Sequence, residues 1–395
     1  MRIKKRAMKK IYLSLFLCIY LLTAACSNGD KNQNNAAFIT LLGNDTLAVE
    51  NFVKNENNIS AQVVLRSPRT TLTSYELSTN EDGGIEELIV SNHEIDLGFN
   101  SKGTIERSYK KEGDSLTVSI RTNDGSFRVI KSVYEPGVLP FIDMVHWPFE
   151  IAFNNAMETQ ADSINQRLLS GSRSSNFIVA KIDSDSMTIR HPSRGVMGVR
   201  VDRNGNIIEL DASSTTRKLT VERTRDIDIN KIASRFAESD KKGNPFGGLS
   251  GAVEESFTVN GINVDVSYGS PEKRGRKLFG GIVPFGERWR TGANRATHFK
   301  VSDDITIQEL SVPAGEYTFF TIPEPDGGKL IINKQTGQNG QTYDQSKDLG
   351  RVDMTVSEQE EDTEVFTILV EEQNKGGVIK LVWGTTVYSI NFDIK

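Results

Sequence analysis

The sequence predicts a mainly β protein in two units: an N-terminal antiparallel sheet with one packed helix, half-barrel-like in outline, and a C-terminal β-sandwich. Three observations predict it. Apolar and polar residues alternate over much of residues 38–225, the period of a sheet with one wet face. Asp-Gly and Asn-Gly pairs interrupt the alternation where hairpins need them. Short β-rich runs then fill residues 248–395 without a strong helical run. With 395 residues, 37% hydrophobic and 25% charged, the chain has enough apolar matter for two packed domains but not for several membrane spans.

Met1 to Lys10 hold six positive charges (Arg2, Lys4, Lys5, Arg6, Lys9, Lys10) and no acid, and the apolar run Ile11 to Leu22 follows. This is the pattern of a secretory signal peptide over residues 1–25. At about 1.5 Å per residue such a run is too short for a hydrocarbon core of about 30 Å. Leu22-Thr23-Ala24-Ala25-Cys26 resembles the lipobox of bacterial lipoproteins, with Thr23 where Leu is usual. The resemblance implies acylation of Cys26, and the two or three chains of such an anchor hold a protein to a membrane without a spanning helix. Ser27 rather than Asp follows the cysteine, which under the lipoprotein sorting rule that the resemblance brings permits transfer to an outer membrane, and the expected location is the outer membrane, facing the periplasm. Removing the signal peptide leaves 47 basic residues less six against 52 acidic ones, a formal charge near −11. That balance argues against nucleic acid as a partner. The only 2 cysteines lie within the first 26 residues, which excludes a disulfide scaffold and cysteine-ligated metal sites from the folded part.

Residues 26–37 are polar and aperiodic, a tether. Within 38–225, Leu116, Val118 and Ile120 alternate up to a turn at Asp124-Gly125, and Phe127 and Val129 resume the pattern. Asn204-Gly205 repeats the device between Val199/Val201 and Ile207/Leu210, and Glu81-Asp82-Gly83-Gly84 is a third turn. Phe149, Phe153, Met157, Ile164 and Leu168 recur at helical spacing, so a helix is expected over Pro148–Leu169, lying on the sheet. Beneath it the sheet either holds a hydrophobic ligand or is filled by the helix as core. Residues 226–247 read as a helical linker, with Asp228 as N-cap, Ile229, Ile232 and Phe236 on one face, and Lys241-Lys242-Gly243-Asn244-Pro245 as the stop. In 248–395, Asn260-Gly261 turns a hairpin within Phe257–Tyr268. Further strands fall around Phe299, Tyr317–Ile322, Leu330–Ile332, Val352–Val356, Phe366–Val370, Val378–Trp383 and Val387–Phe392.

Lys273–Gly280, Val283-Pro284-Phe285-Gly286, Trp289-Arg290-Thr291-Gly292-Ala293-Asn294, Val312–Tyr317 and Phe320–Pro323 resemble one family, the domain of unknown function 2911 of Bacteroidota envelope proteins. A looser match runs through Ile332–Gly337 to the C-terminus, covering about the last 145 residues. The resemblance implies a β-rich envelope module and no particular chemistry. Arg295 stands where the family usually has Glu.

No catalytic or metal motif emerges, and no cofactor is implied. Gly248-Leu249-Ser250-Gly251-Ala252 lacks the last glycine and the strand–helix setting of a nucleophile elbow. His93, His146, His191 and His298 form no H-x-x-x-H pair. Asp202–Asn206 reads as a hairpin turn, and Asp183, Asp185 and Glu358–Asp362 as solvated faces. The anomaly is basic: Pro271–Lys300 holds eight basic residues and two acids. Lys273, Arg274, Arg276, Lys277, Arg288, Trp289, Arg290, Asn294, Arg295 and His298 are therefore the candidate anion-binding residues. Against this stands a packing reading, with Trp289 in the core, arginine stems around it and Gly292–Asn294 as a tight turn. The expectation is a lipid-anchored envelope protein acting as a non-catalytic binding or scaffolding module, for an anionic small molecule, a glycan or an envelope protein. The alternatives are a hydrolase with a site at the domain junction, built from dispersed carboxylates and His298, and a carrier of hydrophobic ligands.

Overall fold

The computed structural model describes residues 35–225 and 227–395. The signal peptide, Cys26 and most of the tether lie outside them. The chain is mainly β, 58% strand, with two helices and two open sheets among the described residues.

The first eight strands form a meander: β1 (Asn35–Leu42), β2 (Asp45–Asn55), β3 (Asn58–Leu65), β4 (Thr71–Thr79), β5 (Ile85–His93), β6 (Thr104–Glu112), β7 (Ser115–Arg121) and β8 (Phe127–Val133). Then come β9 (Leu139–Pro140), α1 (Trp147–Glu158), β10 (Ser163–Ser170), β11 (Arg173–Lys181), β12 (Ser186–His191), β13 (Gly195–Val201), β14 (Ile207–Asp211) and β15 (Thr220–Thr224). The returning β15 pairs with β1, which joins both runs into one 15-stranded sheet ordered 8-7-6-5-4-3-2-1-15-14-13-12-11-10-9. Every pairing is antiparallel except β9 with β10. The expected turns occur at Gly83, Gly125 and Gly205, each with φ near +80°.

The tether is shorter than the sequence suggests. β1 begins at Asn35, Ala36 joins the core opposite Phe52, and Ala37 is buried on the other face, since β1 is flanked on both sides by β2 and β15. The expected helix over Pro148–Leu169 also needs correction: it ends at Glu158, and Ile164 and Leu168 lie on β10. Residues four apart satisfy a period of two as well as a helical one, and pairing along all eight residues of β10 with β11 selects the strand. Gln166, between them and buried, donates to Gly137 O (2.8 Å) and Arg167 O (3.1 Å).

α1 fills the sheet's concavity with Trp147, Phe149, Ile151, Ala152 and Phe153. Its first turn is held from across the sheet. Glu50, fully buried on β2, accepts hydrogen bonds from His146 N (2.9 Å) and Trp147 N (3.0 Å) at the helix's positive end. The space beside that end measures about 30 Å³, far too small for a lipid or other hydrophobic ligand.

α2 (Ile229–Lys241) is capped by Asp228, which accepts from Lys231 N at 3.0 Å. It packs Ile229, Ala233 and Phe236 against Val49, Val64 and Leu72 of the first sheet. Buried Asp240 accepts from Thr70 N (2.7 Å) and fixes its far end.

The second unit comprises β16 (Ser250–Val259), β17 (Ile262–Pro271), β18 (Thr297–Val301), β19 (Ile305–Ile307), β20 (Leu310–Val312), β21 (Gly315–Glu324), β22 (Gly327–Asn333), β23 (Asp348–Gln373) and β24 (Gly376–Ile394). They form a nine-stranded sheet ordered 16-17-18-21-22-23-24-19-20. β23 loses register between Glu358 and Thr367, and its second half lies over β16 and β17 in a sandwich-like arrangement. Tyr268 hydroxyl accepts from Ile368 N (3.1 Å) across the layers, around Phe299, Phe319, Phe366 and Trp383.

Candidate functional site

The two units meet along a polar seam. Arg274, in a left-handed conformation (φ +48°) and buried, donates to Asp45 (2.8 Å), Glu272 (2.7 Å) and Phe246 O (2.8 Å), with its guanidinium 3.8 Å from the Phe246 ring centre. Its own carbonyl accepts from Asn44 N at 3.0 Å. Gly43 lies so close to that carbonyl that a Cβ would stand 2.1 Å away, so the contact requires glycine. Gly247 N donates to Pro68 O (3.0 Å) and Gln341 Nε2 to Ser193 O (3.2 Å), closing the seam at other points.

Beside this seam opens a cleft of about 370 Å³. The first unit contributes Arg194 from the β12–β13 turn and Arg217 and Lys218 from the β14–β15 connection. The second contributes Arg276, Trp289, Arg290 and Asn294, all within or beside the stretches singled out in the sequence, with Gln341 and Asn339 at the mouth. Five cations thus face the cleft, and its lining contains no carboxylate.

Their partners differ. Arg194 and Arg217 share Asp143. Burial works against ionisation of that carboxyl, but the Arg194 hydrogen bond and both positive charges outweigh it and hold its pKa below the usual range. The other three bond only to carbonyls among the described residues. Arg276 donates to Lys273 O (3.0 Å) and Glu272 O (2.5 Å), Arg290 to Asn294 O (3.0 Å), and Lys218 to Ser213 O (3.2 Å). Burial, then the charges of Arg276 and Arg290, push the Lys218 amine below its ordinary pKa, with Glu287 opposing them. Burial also lowers both arginines, which stay charged at any physiological pH.

The Trp289–Asn294 run builds the second unit's wall. Trp289 pairs with Thr321 through backbone bonds of 2.7 and 2.8 Å, its Nε1 donates to Gly292 O (3.0 Å), and its ring stacks on Trp383 with centroids 6.1 Å apart. Ala293 N donates to Gly269 O (2.9 Å), and a Cβ on Gly269 would come within 2.1 Å of Ala293 O. Thr291 and Asn294 have φ of +54° and +64°, and Lys218 across the cleft +51°. A left-handed β-branched residue is strained. Thr291 is held there by Thr297 Oγ1, which donates to its carbonyl (2.5 Å), and by its own hydroxyl on Thr321 Oγ1 (3.2 Å). This scaffold places Arg290 and Asn294 in the cleft lining; Trp289 packs against Phe279, Phe366 and Trp383, as the packing reading expects, and what remains of its surface lines the cleft.

Four of the ten candidate residues, Arg276, Trp289, Arg290 and Asn294, line the cleft. The other six are placed elsewhere or tied up. Arg274 is committed to the seam. Lys273 pairs with Asp362 (2.6 Å), and Lys273 and exposed Lys277 line a neighbouring groove with Phe279 and Phe285, which shares Arg276 and Trp383 with the cleft. Arg288 stacks over Tyr343, 3.9 Å from its ring centre, and Arg295 donates to Ser267 hydroxyl (3.1 Å). His298 uses both ring nitrogens on backbone, Nδ1 donating to Ala296 O and Nε2 accepting from Gly337 N, each at 2.9 Å. Sequence reasoning missed Arg194, Arg217, Lys218 and Gln341. The adjacent cations Arg217-Lys218 in a polar loop were the one available sign, and only the docking of the units gives them meaning.

The remaining histidines stand apart. His146 contacts Glu50 (3.1 Å), His93 the Ser74 hydroxyl (2.8 Å), and His191 packs edge-on to Phe141 and Phe177 while burial, then Arg194, pushes its pKa down to about 4. Asp202 accepts from Asn204 N and Asn206 N, a hairpin turn as read. Among the described residues no group of three or more His, Cys, Asp or Glu could hold a metal ion.

Residues 250–392 match the family model described as a protein of unknown function (DUF2911). Among solved structures, a DUF1089 family protein from Pseudomonas aeruginosa is similar at 13% identity and a TM-score of 0.30, over 42% of this chain and 91% of that one. No curated protein matches.

Proposed function

We propose that this chain is a lipid-anchored cell-envelope protein whose cleft, between its two units, binds an anionic ligand without transforming it. The observation that carries the reading is the set of Lys218, Arg276 and Arg290, brought together from both units and hydrogen-bonded only to carbonyl oxygens, with the carboxylates nearest Arg276 and Lys218 (Glu272, Glu364, Asp45 and Glu287) outside the lining. Burial, and then the like charges of Arg276 and Arg290, make the protonated Lys218 costly in the empty cleft, which its lowered pKa reflects. An anion among them reverses the sign. At about 4 Å and an effective dielectric near 20, each unit-charge pair contributes about 4 kcal/mol before desolvation, which favours a dianion over a monoanion. The surrounding Trp289, Asn294, Gln341 and Leu249 add orientation. The anchor rests on the basic, then apolar N-terminus and on Cys26 after Leu22-Thr23-Ala24-Ala25, which support an outer-membrane protein facing the periplasm.

The test combines both parts. Calorimetric titration with inorganic phosphate should give measurable affinity for the wild type and for Arg295→Glu, which alters a basic residue outside the cleft. At least a tenfold loss is expected in a Lys218→Met/Arg290→Gln variant that melts at an unchanged temperature. Cys26→Ala should leave the membrane fraction yet keep phosphate affinity. Equal affinity in the double variant overturns the site, and a membrane-retained Cys26→Ala overturns the anchor.

A further inference from the structure

Taking the cleft to be anion-binding, we propose that its ligand is an anionic saccharide, with the charged group among Lys218, Arg276 and Arg290 and the sugar ring against Trp289. The shape of the cleft argues for more than a bare anion. Its volume of about 370 Å³ lies at the small end of ligand pockets, room for a substituted ring but far more than phosphate fills. The lining is not only polar: Trp289, Leu249 and Ile282 are part of it, backed by the buried Leu42 and Val283. A hydrated inorganic ion has no use for these side chains, whereas the C–H face of a sugar ring packs against them.

The polar groups fit a polyhydroxylated ring. Thr216 offers a hydroxyl; the Ser250 hydroxyl, which donates to Leu249 O (2.7 Å), and the Ser193 hydroxyl, 3.4 Å from His191 Nδ1, keep acceptor capacity; Asn294 and Gln341 offer amides. Among the described residues, Asn294 Oδ1 and Gln341 Oε1 accept no hydrogen bond, and Asn294 Nδ2 reaches only Ser250 O at 3.5 Å. Hydroxyls and amides each both donate and accept, as sugar hydroxyls do, while a nucleobase edge asks for a fixed donor–acceptor order. The lining thus offers charge together with groups that can bond the hydroxyls of a ring, Arg290 itself donating to Asn294 O at 3.0 Å. Both units contribute to each set of groups, since Lys218 and Ser193 come from the first and Arg290 and Gln341 from the second.

The experiment titrates the full chain, by calorimetry and tryptophan fluorescence, with glucose 6-phosphate, inorganic phosphate, glucose and adenosine monophosphate. The expected order is glucose 6-phosphate at least tenfold tighter than phosphate, adenosine monophosphate no tighter than phosphate, and glucose without measurable affinity at millimolar concentration. Gln341→Ala, at the exposed mouth, should cut glucose 6-phosphate affinity about tenfold, and Trp289→Phe should remove the fluorescence change. Phosphate binding as tightly as glucose 6-phosphate overturns the saccharide while leaving the anion site standing. Preference for adenosine monophosphate overturns it in favour of a base. Absence of binding by any of the three anions overturns the anion site itself and the saccharide with it.

Discussion

Lys218 supplies the one amine in the cleft lining, among guanidinium groups that never lose their charge. Only its protonated form attracts an anion, and burial beside Arg276 and Arg290 lowers the pH at which the proton leaves. Anion affinity should therefore fall as pH rises through that lowered pKa, below the ordinary lysine value, because the bound complex holds a proton that the free amine has lost. Lys218→Arg should keep affinity flat over the same range. Coincident affinity–pH profiles, measured by calorimetry between pH 7 and 10, would show that this amine does not meet the ligand. The excess charge of Pro271–Lys300 was legible in the sequence, but its division of labour was not. Arg274 and Arg290 look alike as letters, and what separates them is that Asp45 and Glu272 stand beside one and neither stands beside the other.

At the scale of elements, hairpins read well and the helix read long. Asp124-Gly125, Asn204-Gly205 and Asn260-Gly261 impose backbone conformations on their own, so a local signal suffices; Asn260 and Gly261 have φ of +47° and +87°. The end of α1 depends instead on where β10 finds a partner, which is not local information. Its beginning depends on Glu50, nearly a hundred residues away, as the group satisfying the first-turn amides. No N-cap signal at His146 could reveal this, since the acceptor is on another strand. Glu50→Ala leaves buried donors at the helix start unpaired and should destabilise the protein by about 3 kcal/mol in urea denaturation. A loss under about 0.5 kcal/mol, the level of ordinary surface substitutions, would mean that water replaces the carboxyl and that α1 does not rely on it.

The whole molecule places its cleft where two sheets meet, and neither half holds it alone. Arg194, Arg217 and Lys218 sit on turns of the first unit, while Arg276, Arg290 and Gln341 extend from the second. The seam of Arg274, Phe246, Gly43 and Gly247 sets their separation. Sequence patterning foresaw a β-rich pair of units and a basic patch on one of them, because alternation and composition are properties of each stretch by itself. It could not foresee that loops around Arg194 and Lys218 would complete that patch, because a domain interface leaves no periodic trace. Whether this junction binds an anion is measured most directly by anomalous diffraction from crystals of the protein soaked in selenate. A selenium peak among Lys218, Arg276 and Arg290 is the predicted result; selenate bound elsewhere on the protein, with this cleft empty, would contradict it.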